Sequence, residues 1–230
     1  MTGASTRRSR SAFSRAYCRR TRACSPDGRA TGRAEPCYDQ PMNIQDKWPT
    51  TPDEFLRWNQ GREGKREFVH GRVVELMINV TRNHANLANR LLFALTSQLG
   101  TDEYMIGSAD FGVRTASGVR FPDVIVEPAG GDGKALATAE PLLIAEILSP
   151  ATMRDDFGPK ADEYLAIASL RHYLILSQDE PRIWLWSRDD DGAFGKPATT
   201  DVTTTPVELA GLGVTLDLAA LYKGIAEPGK

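Results

Sequence analysis

An apolar segment with an acid at its centre sets the strongest limit on how this chain can fold. Residues 141–150 read Pro-Leu-Leu-Ile-Ala-Glu-Ile-Leu-Ser-Pro, and an apolar run between prolines, without polar alternation, predicts a fully buried strand. Glu146 lies in the middle of that run. A carboxylate is almost never fully buried unless it is paired or binds a metal. Two interpretations therefore stay open: Glu146 is a cation ligand, or it forms a salt bridge with an arginine at the edge of the core.

A second acid stands in a similar context upstream. Asp123 belongs to the segment Phe-Pro-Asp-Val-Ile-Val, residues 121–126, which predicts another apolar strand. Hard divalent cations take oxygen ligands and are often held by one or two carboxylates. Two carboxylates on two apolar strands thus predict a cation site built on a sheet. We expect Asp123 and Glu146 to lie within reach of one cation.

The composition is that of an ordinary soluble globular protein. Of 230 residues, 41% are hydrophobic and 25% are charged, which suffices for one domain with a real core. No apolar run approaches the roughly 20 residues of a membrane span. The three cysteines (Cys18, Cys24 and Cys37) all precede residue 42, so neither disulfides nor a cysteine-bound zinc can hold the rest of the chain together. This pattern is consistent with a reducing, cytoplasmic setting.

The first 41 residues differ in charge from the rest of the chain. They hold nine Arg and three acids, a net charge of +6, whereas the remainder holds 19 bases and 27 acids, a net charge of −8. Residues 1–41 carry almost no hydrophobic periodicity, which favours a disordered extension, or an artefact of start-site choice upstream of Met42. A targeting peptide and a basic arm on nucleic acid are the alternatives. We expect residues 42–230 to form a single domain.

Local patterns predict the order of elements in this domain. Thr51-Pro-Asp-Glu54 predicts a helix start, and residues 66–76 predict a hairpin that turns at His70-Gly71. Within this hairpin, Glu67 has the pattern of a solvated strand charge. Leucines at helical spacing predict a helix over residues 83–99, in which His84 is interpreted as a capping or packing residue. The later segments predict strands at 105–109, 112–115, 141–148, 171–176, 182–186 and near 193–209, and helices from Pro159 and over 217–222. Residues 118–120 are expected to lead into the strand that contains Pro122 and Asp123.

Several catalytic classes lack their parts. The chain has no P-loop, GxGxxG or GxSxG motif. Its three histidines (His70, His84 and His172) and the absence of cysteine after residue 41 leave zinc hydrolysis and Cys-His catalysis without ligands or nucleophile. Lys160 and Tyr164 are four residues apart in the last predicted long helix, so they share one helix face.

Taken in order, these motifs resemble those of the Uma2 family, restriction-type endonucleases within the PD-(D/E)xK nuclease superfamily. The resemblance runs from about Thr51 to Tyr222. Its parts are Glu67-x3-Gly71-Arg-Val-Val, His84, Pro122-Asp123, Glu146-Ile-Leu-Ser-Pro150, Asp156-x3-Lys160-x3-Tyr164 and the strand with Tyr173. It implies an α/β fold with a restriction-endonuclease-like core, in which a central mixed β-sheet is flanked by helices.

The resemblance also implies a Mg²⁺ or Mn²⁺ site for phosphodiester hydrolysis. Asp123, Glu146 and the backbone carbonyl of Ile147 would be the metal ligands. The superfamily places a lysine two residues after the glutamate, where this chain has Leu148, and the family instead supplies Lys160 from the following helix, with Tyr164 beside it. Glu67 matches an upstream acid of the family, which would complete the metal site or support its ligands from behind.

Further expectations follow for the surroundings of this site. We expect His84, Arg120 and Ser149 to contact the substrate. Without metal, we expect Asp123 and Glu146 to raise each other's pKa unless Lys160 lies close enough to compensate. Three positions depart from the family pattern without touching the predicted ligands, namely His70, His172 and Ser177.

The choice among functions stays open at the level of sequence. An active Mg²⁺-dependent endonuclease acting on DNA explains the paired acids and the lysine. The net charge of −8 on residues 42–230, however, counts against binding to a polyanion. The alternative is a catalytically silent nuclease fold that serves as a binding or dimerisation module. RNA is not distinguished from DNA, and a homodimer is expected only by analogy with enzymes that cut two strands. A basic lining would answer the charge objection if six arginines converge on the site: Arg66, Arg72, Arg82, Arg114, Arg120 and Arg154.

Overall fold

Two mixed sheets and a helix on each side of the larger one form the frame of the protein. The computed structural model of the chain describes residues 47–76, 80–149, 152–201 and 206–225. All of them belong to one unit, residues 46–230. Residues 1–41, for which the sequence favours a disordered extension, lie outside the described residues.

Thirteen strands and five helices make up the described residues. The helices are α1 (Pro52–Asn59), α2 (Arg82–Thr96), α3 (Met153–Asp156), α4 (Pro159–Leu165) and α5 (Leu218–Tyr222). The strands are β1 (Lys65–Val69), β2 (Arg72–Leu76), β3 (Tyr104–Ser108), β4 (Gly112–Thr115), β5 (Gly118–Arg120), β6 (Val124–Pro128), β7 (Ala137–Thr138), β8 (Leu143–Leu148), β9 (His172–Ser177), β10 (Arg182–Ser187), β11 (Ala198–Asp201), β12 (Val207–Leu209) and β13 (Val214–Leu216). No described helix has the length and apolar character needed to cross a membrane.

The largest sheet has six strands in the order β11-β10-β9-β8-β6-β3. Its central strands β8 and β9 run parallel, and its other pairs run antiparallel. A five-stranded sheet has the order β2-β1-β5-β4-β7, and β12 and β13 form a separate pair. The expected α/β architecture, with mixed sheets flanked by helices, is confirmed.

Strand β8 lies at the centre of the six-stranded sheet and is buried along its whole length. Because side chains alternate across a strand, Ala145 and Ile147 pack into the core beneath α2, whereas Ile144 and Leu148 pack into the core beneath α4. Glu146 has the same parity as Ile144 and therefore points to the α4 side. The predicted buried strand is confirmed, with its acid facing a helix.

Helix α2 forms because its leucines recur at helical spacing. Leu87, Leu91 and Leu95 are fully buried against the six-stranded sheet. The hydroxyl of Thr81 accepts a hydrogen bond from the backbone N–H of His84 and caps the helix. This cap fixes His84 in the first turn, at the edge of the sheet.

Helix α1 covers one face of the five-stranded sheet. Phe55 of α1 stacks on Phe68 of β1, with ring centroids 5.5 Å apart. Since consecutive strand residues point to opposite faces, Glu67 points away from α1. The predicted hairpin is confirmed, because β1 and β2 pair around His70 and Gly71, both of which have positive φ.

One expected strand differs in the structure, and two short elements were not predicted. Residues 118–120 do not run on into the strand after Pro122; they form β5, which pairs with β1 and β4 in the five-stranded sheet. Asp123 consequently lies just before β6, which begins at Val124. Helix α3 and strand β13 were not predicted, because elements of four and three residues are too short to show a period.

Candidate active site

Four elements place acids and one lysine together on the α4 side of the large sheet. Glu146 comes from the middle of β8, Glu67 from β1, and Asp156 from the end of α3. Lys160, in the first turn of α4, contacts all three. We call these four residues the lysine–carboxylate cluster. Each is almost fully buried.

Lys160 lies closest to Glu146. Its Nζ is 2.8 Å from Glu146 Oε1, 3.5 Å from Asp156 Oδ1 and 3.7 Å from Glu67 Oε1. Tyr164, one helical turn further along α4, donates its hydroxyl proton to the same Glu146 oxygen at 3.1 Å. The helix face that the sequence predicted for Lys160 and Tyr164 is therefore directed at Glu146.

Asp123 lies beside this cluster and has its own hydrogen-bond partners. Its Oδ1 is 3.2 Å from His84 Nε2, and its Oδ2 accepts the backbone N–H of Ile147 at 2.8 Å. Val124 pairs with Ala145, so extending the register places Asp123 opposite Glu146 on the same face of the sheet. His84, interpreted from sequence as a capping or packing residue, bonds directly to this acid.

Glu67 is not a solvated strand charge, as its sequence pattern had indicated. It is 1% exposed, and its Oε2 lies 2.8 Å from a guanidinium nitrogen of Arg120. Its other oxygen accepts the backbone N–H of Phe121 at 3.3 Å. The interpretation failed because β1 is sandwiched: Phe68 faces α1 and Glu67 faces α4.

Arg120 joins β1 to α4. Its guanidinium donates to both carboxylate oxygens of Glu163 at 2.7 and 2.9 Å, in addition to its bond with Glu67 and a 3.2 Å contact with Asp155. The Arg120 side chain is 5% exposed. These contacts make Arg120 a brace between the sheet and α4, and the substrate contact predicted for it stays a prediction.

Asp156 belongs to the family motif, but no role had been assigned to it from sequence. It is 1% exposed. Lys160 is its ion-pair partner at 3.5 Å. The signal that points to Asp156 is its spacing of four residues before Lys160 on adjoining helical turns.

Burial and charge shift the pKa of each group in this region. Burial raises the pKa of Glu146 to about 8, although the charge of Lys160 opposes the shift. Burial also raises the pKa of Asp156, again against Lys160. For Lys160, burial favours the neutral amine, but Glu146, Glu67 and Asp156 more than offset it and the pKa of Lys160 is raised. The acids thus outnumber the cations that stabilise them.

The expected mutual rise in pKa holds for only one of the two predicted ligands. Burial opposes ionisation of Asp123, but the hydrogen bond and charge of His84, with the N–H of Ile147, bring the pKa of Asp123 below its ordinary value. Asp123 is therefore ionised at neutral pH without a metal. The sequence did not indicate this, because His84 lies 39 residues from Asp123.

The donors of this site suit a divalent cation that is held by two carboxylates. No three His, Cys, Asp or Glu side chains in the described residues are grouped to hold one ion. Asp123 and Glu146 are the two carboxylates that the sequence predicts as ligands. The Ile147 carbonyl faces the same neighbouring strand as its N–H, on the Asp123 side. Magnesium binds through one or two carboxylates with the remaining positions filled by water and phosphate, which suits this donor set.

The arginines expected to line the site do not gather there. Among the contacts of the described residues, Arg120 alone of the six reaches the lysine–carboxylate cluster. Arg66 pairs with Glu75 and Arg114 pairs with Asp53. The side chains of residues 72, 82 and 154 are exposed. The net charge of −8 on residues 42–230 therefore still counts against binding of a polyanion at this site.

Ser149, which is expected to contact the substrate, shares a 3.0 Å hydrogen bond with Thr152.

The fold is that of a mixed α/β protein with a central mixed sheet flanked by helices. The chain belongs to the Uma2 family, whose description is "Putative restriction endonuclease" and whose model matches residues 52–219. The resemblance read from the sequence is thereby confirmed, and it is consistent with the PD-(D/E)xK superfamily.

Relatives and a solved structure extend this comparison. The uncharacterized protein slr1290 of Synechocystis sp. is 27% identical over 179 residues, covering 76% of this chain and 93% of the relative. A second uncharacterized Synechocystis protein, sll1609, is 30% identical over 133 residues, which is 56% of this chain and 75% of the relative. A crystal structure described as a putative nuclease belonging to DUF820, from Anabaena variabilis, matches with a TM-score of 0.61 at 14% identity. It covers 76% of this chain and 98% of its own, and it supports the fold.

Proposed function

We propose that this protein is a Mg²⁺- or Mn²⁺-dependent endonuclease that hydrolyses phosphodiester bonds of DNA. The observation that carries the proposal is Glu146, a buried acid in the central strand, with Lys160 and Tyr164 directed at one of its oxygens. Membership in a family described as a putative restriction endonuclease supports the same reaction class. The Anabaena neighbour described as a putative nuclease supports it through the fold.

Asp123, Glu146 and the carbonyl of Ile147 would hold the metal ion. When bound, such an ion polarises the phosphate and lowers the pKa of water, which supplies the nucleophile. The hydrogen bonds from His84 and Ile147 hold Asp123 ionised and in one orientation. Each carboxylate oxygen has more than one lone pair, so these bonds leave acceptor capacity for a cation.

Lys160 and Tyr164 set the geometry of Glu146. Both approach Oε1, so they fix the rotamer of the carboxylate. An ammonium group has three donors, and Lys160 has further acceptors in Asp156 and Glu67. These three acids hold the ammonium group in the cluster, from which its charge can stabilise negative charge that develops on a phosphate. Arg120 holds Glu67 and α4 in register around it.

The test is cleavage of supercoiled plasmid by the full chain with Mg²⁺, with Mn²⁺ and with EDTA. We expect metal-dependent nicking that falls about 100-fold or more in Glu146→Gln, which removes a proposed metal ligand, and in Lys160→Met, which removes the proposed cation for the phosphate. Glu140→Gln and Lys134→Met are matched controls at exposed positions and should cleave like wild type. Nicking that survives in both site variants would contradict the proposal.

A nuclease fold without turnover is the second candidate. It is supported by the position of the Lys160 amine, which lies 2.8 Å from Glu146 Oε1 without a metal. Under this alternative the wild-type chain binds Mn²⁺ in a manner that depends on Glu146, yet it nicks neither duplex nor single-stranded DNA. An RNA substrate would give cleavage of RNA that is lost in the same two variants.

A further inference from the structure

A cluster of tryptophan and arginine side chains lies outside the candidate active site. Trp48 precedes α1 and is 61% exposed, yet its ring packs on Trp58 with centroids 5.4 Å apart. The guanidinium carbon of Arg62 lies 4.2 Å from the centroid of the Trp58 ring, and that of Arg66 lies 5.7 Å from it. We call Trp48, Trp58, Arg62 and Arg66 the tryptophan–arginine patch.

Two cavities meet at the arginines of this patch. One, of about 290 Å³, is lined by the four patch residues and Glu75. The other, of about 280 Å³, shares Arg62 and Arg66 and adds Lys65, with apolar walls that include Leu56, Phe121 and Leu136. The arginines therefore stand between an aromatic cavity and a cavity with apolar walls.

This arrangement matches the chemistry of a single nucleic-acid strand. Proteins bind such strands by stacking bases on aromatic rings and by pairing phosphates with cations, and arginine adds a cation–π contribution. The exposed Trp48 ring offers a face to a base. Arg62, Arg66 and Lys65 offer donors to phosphate. Glu75, which bonds to Arg66 at 3.2 Å, can accept from the amino group of a base.

Strand β1 connects the patch to the lysine–carboxylate cluster. Arg66 and Glu67 are consecutive in β1, so their side chains point to opposite faces of the five-stranded sheet. Phe121 contributes to the second cavity, and its backbone N–H donates to Glu67 at 3.3 Å. A nucleic-acid strand bound at the patch would thus be separated from the predicted reaction site by the five-stranded sheet.

We propose that the tryptophan–arginine patch binds unpaired nucleotides of single-stranded DNA and so selects the substrate of the candidate active site. The choice of DNA rests on the proposed function, whereas the affinity for unpaired nucleotides rests on the patch alone. A duplex keeps its base faces stacked on one another, so it cannot offer them to Trp48.

The experiment measures binding without turnover. Full-length protein in EDTA is titrated into a short fluorescein-labelled oligodeoxythymidine, and into a duplex of the same length, and fluorescence anisotropy is followed. We expect single-stranded DNA to bind more tightly than duplex, and Trp48→Ala to weaken its binding about tenfold, the range measured for loss of one stacked base. Trp48→Phe should recover most of the affinity. Arg62→Gln should lower the slope of log K against log salt by about 0.7, the value for one phosphate contact on a single strand.

Phe93→Ala is the matched control, because Phe93 is an exposed aromatic residue of α2 outside the patch. Equal affinity of wild type and Trp48→Ala, equal loss in Phe93→Ala, or tighter binding of duplex would each overturn the proposal. Plasmid cleavage run in parallel separates the two inferences. Cleavage that depends on Glu146 with binding that ignores Trp48 leaves the endonuclease and removes the patch. Binding that depends on Trp48, in a protein that does not cleave, would support the patch and contradict the endonuclease.

Discussion

At the scale of single residues, Lys160 is the group on which the buried acids depend. It is the ion-pair partner of Glu146, Asp156 and Glu67 together. Removing one member of a buried ion pair leaves an uncompensated charge, whereas removing both can be nearly neutral. The stability of the metal-free protein should therefore respond very differently to single and double substitutions.

We expect Lys160→Met to destabilise the protein by about 3–5 kcal/mol at a pH above 8, where Glu146 is ionised. The double variant Lys160→Met with Glu146→Gln should recover a large part of this loss. Urea denaturation of the four proteins in EDTA gives the interaction free energy as a double-mutant cycle. Additive effects of the two substitutions would show that the pair contributes no interaction of its own.

The pKa of Glu146 makes a second prediction at this scale. Burial raises it from the ordinary 4.5 to about 8, so between these values the folded state holds a proton that the unfolded state has lost. Stability therefore falls as the pH rises from about 4.5 to about 8. Relative to Glu146→Gln, which stays neutral, the metal-free wild type should lose up to about 1.4 kcal/mol for each pH unit in this window. A difference that is independent of pH would mean that Glu146 is already ionised at acidic pH.

Sequence analysis located some of these residues and not others, for a physical reason. Lys160 and Tyr164 share a helix face by local spacing, and both contact Glu146 in the structure. Arg120, by contrast, braces Glu67 and Glu163 across 53 and 43 residues of sequence. Such contacts depend on how distant strands and helices pack, which no local period encodes. The burial of Glu67 was missed for this reason.

At the scale of elements, the tight connection between α3 and α4 controls where Lys160 lies. Gly158 stands between the two helices, and a Cβ at this position would lie 2.7 Å from the backbone oxygen of Arg154. Backbone cannot swing aside as a long side chain can. A larger residue at position 158 must therefore shift α4 relative to β8.

We expect Gly158→Ala to destabilise the protein by about 1–3 kcal/mol, the usual cost of overpacking, and to lower metal-dependent cleavage more than it lowers stability. Gly131→Ala is the control, since a Cβ there meets nothing within 4 Å. The measurements are thermal denaturation and plasmid nicking at a temperature where both variants are folded. Wild-type cleavage by Gly158→Ala would show that α4 tolerates the displacement.

The predictability of the elements followed their length. The leucines of α2 fill four turns, and the apolar run of β8 is flanked by prolines, so both were predicted from sequence. Residues 118–120 were assigned to the wrong strand because three residues do not reveal which sheet they join. Pairing between β5 and β1 is a property of the tertiary fold rather than of the segment.

At the scale of the whole molecule, a bound metal ion should stabilise the fold. The acids on the α4 side exceed their cations, so an ion that binds the folded state and not the unfolded one adds free energy by mass action. At about 100 times its dissociation constant, Mn²⁺ should stabilise wild type by about 2.7 kcal/mol. The thermal midpoint measured with Mn²⁺ and with EDTA checks this.

The variants Glu146→Gln and Asp123→Asn should lose most of that shift, whereas Glu140→Gln should keep it. A midpoint that rises equally in all four proteins would place the ion elsewhere on the molecule.

The architecture itself was predictable at this scale, because the motifs fall in the family order along nearly the whole domain. The depth at which the acids are buried was not, since it depends on both sheets and on α4 together.

On the side of β8 that faces β6, the backbone N–H of Ile147 bonds to a side chain instead of to backbone. Its proton is held by Asp123 Oδ2 at 2.8 Å, an oxygen of a predicted metal ligand. A cation that draws electron density from this carboxylate weakens that hydrogen bond. We therefore expect the nitrogen resonance and the solvent exchange rate of the Ile147 amide to change as an ion binds. If Asp123 binds an ion, NMR of the Ile147 amide should therefore measure the occupancy of the site without substrate.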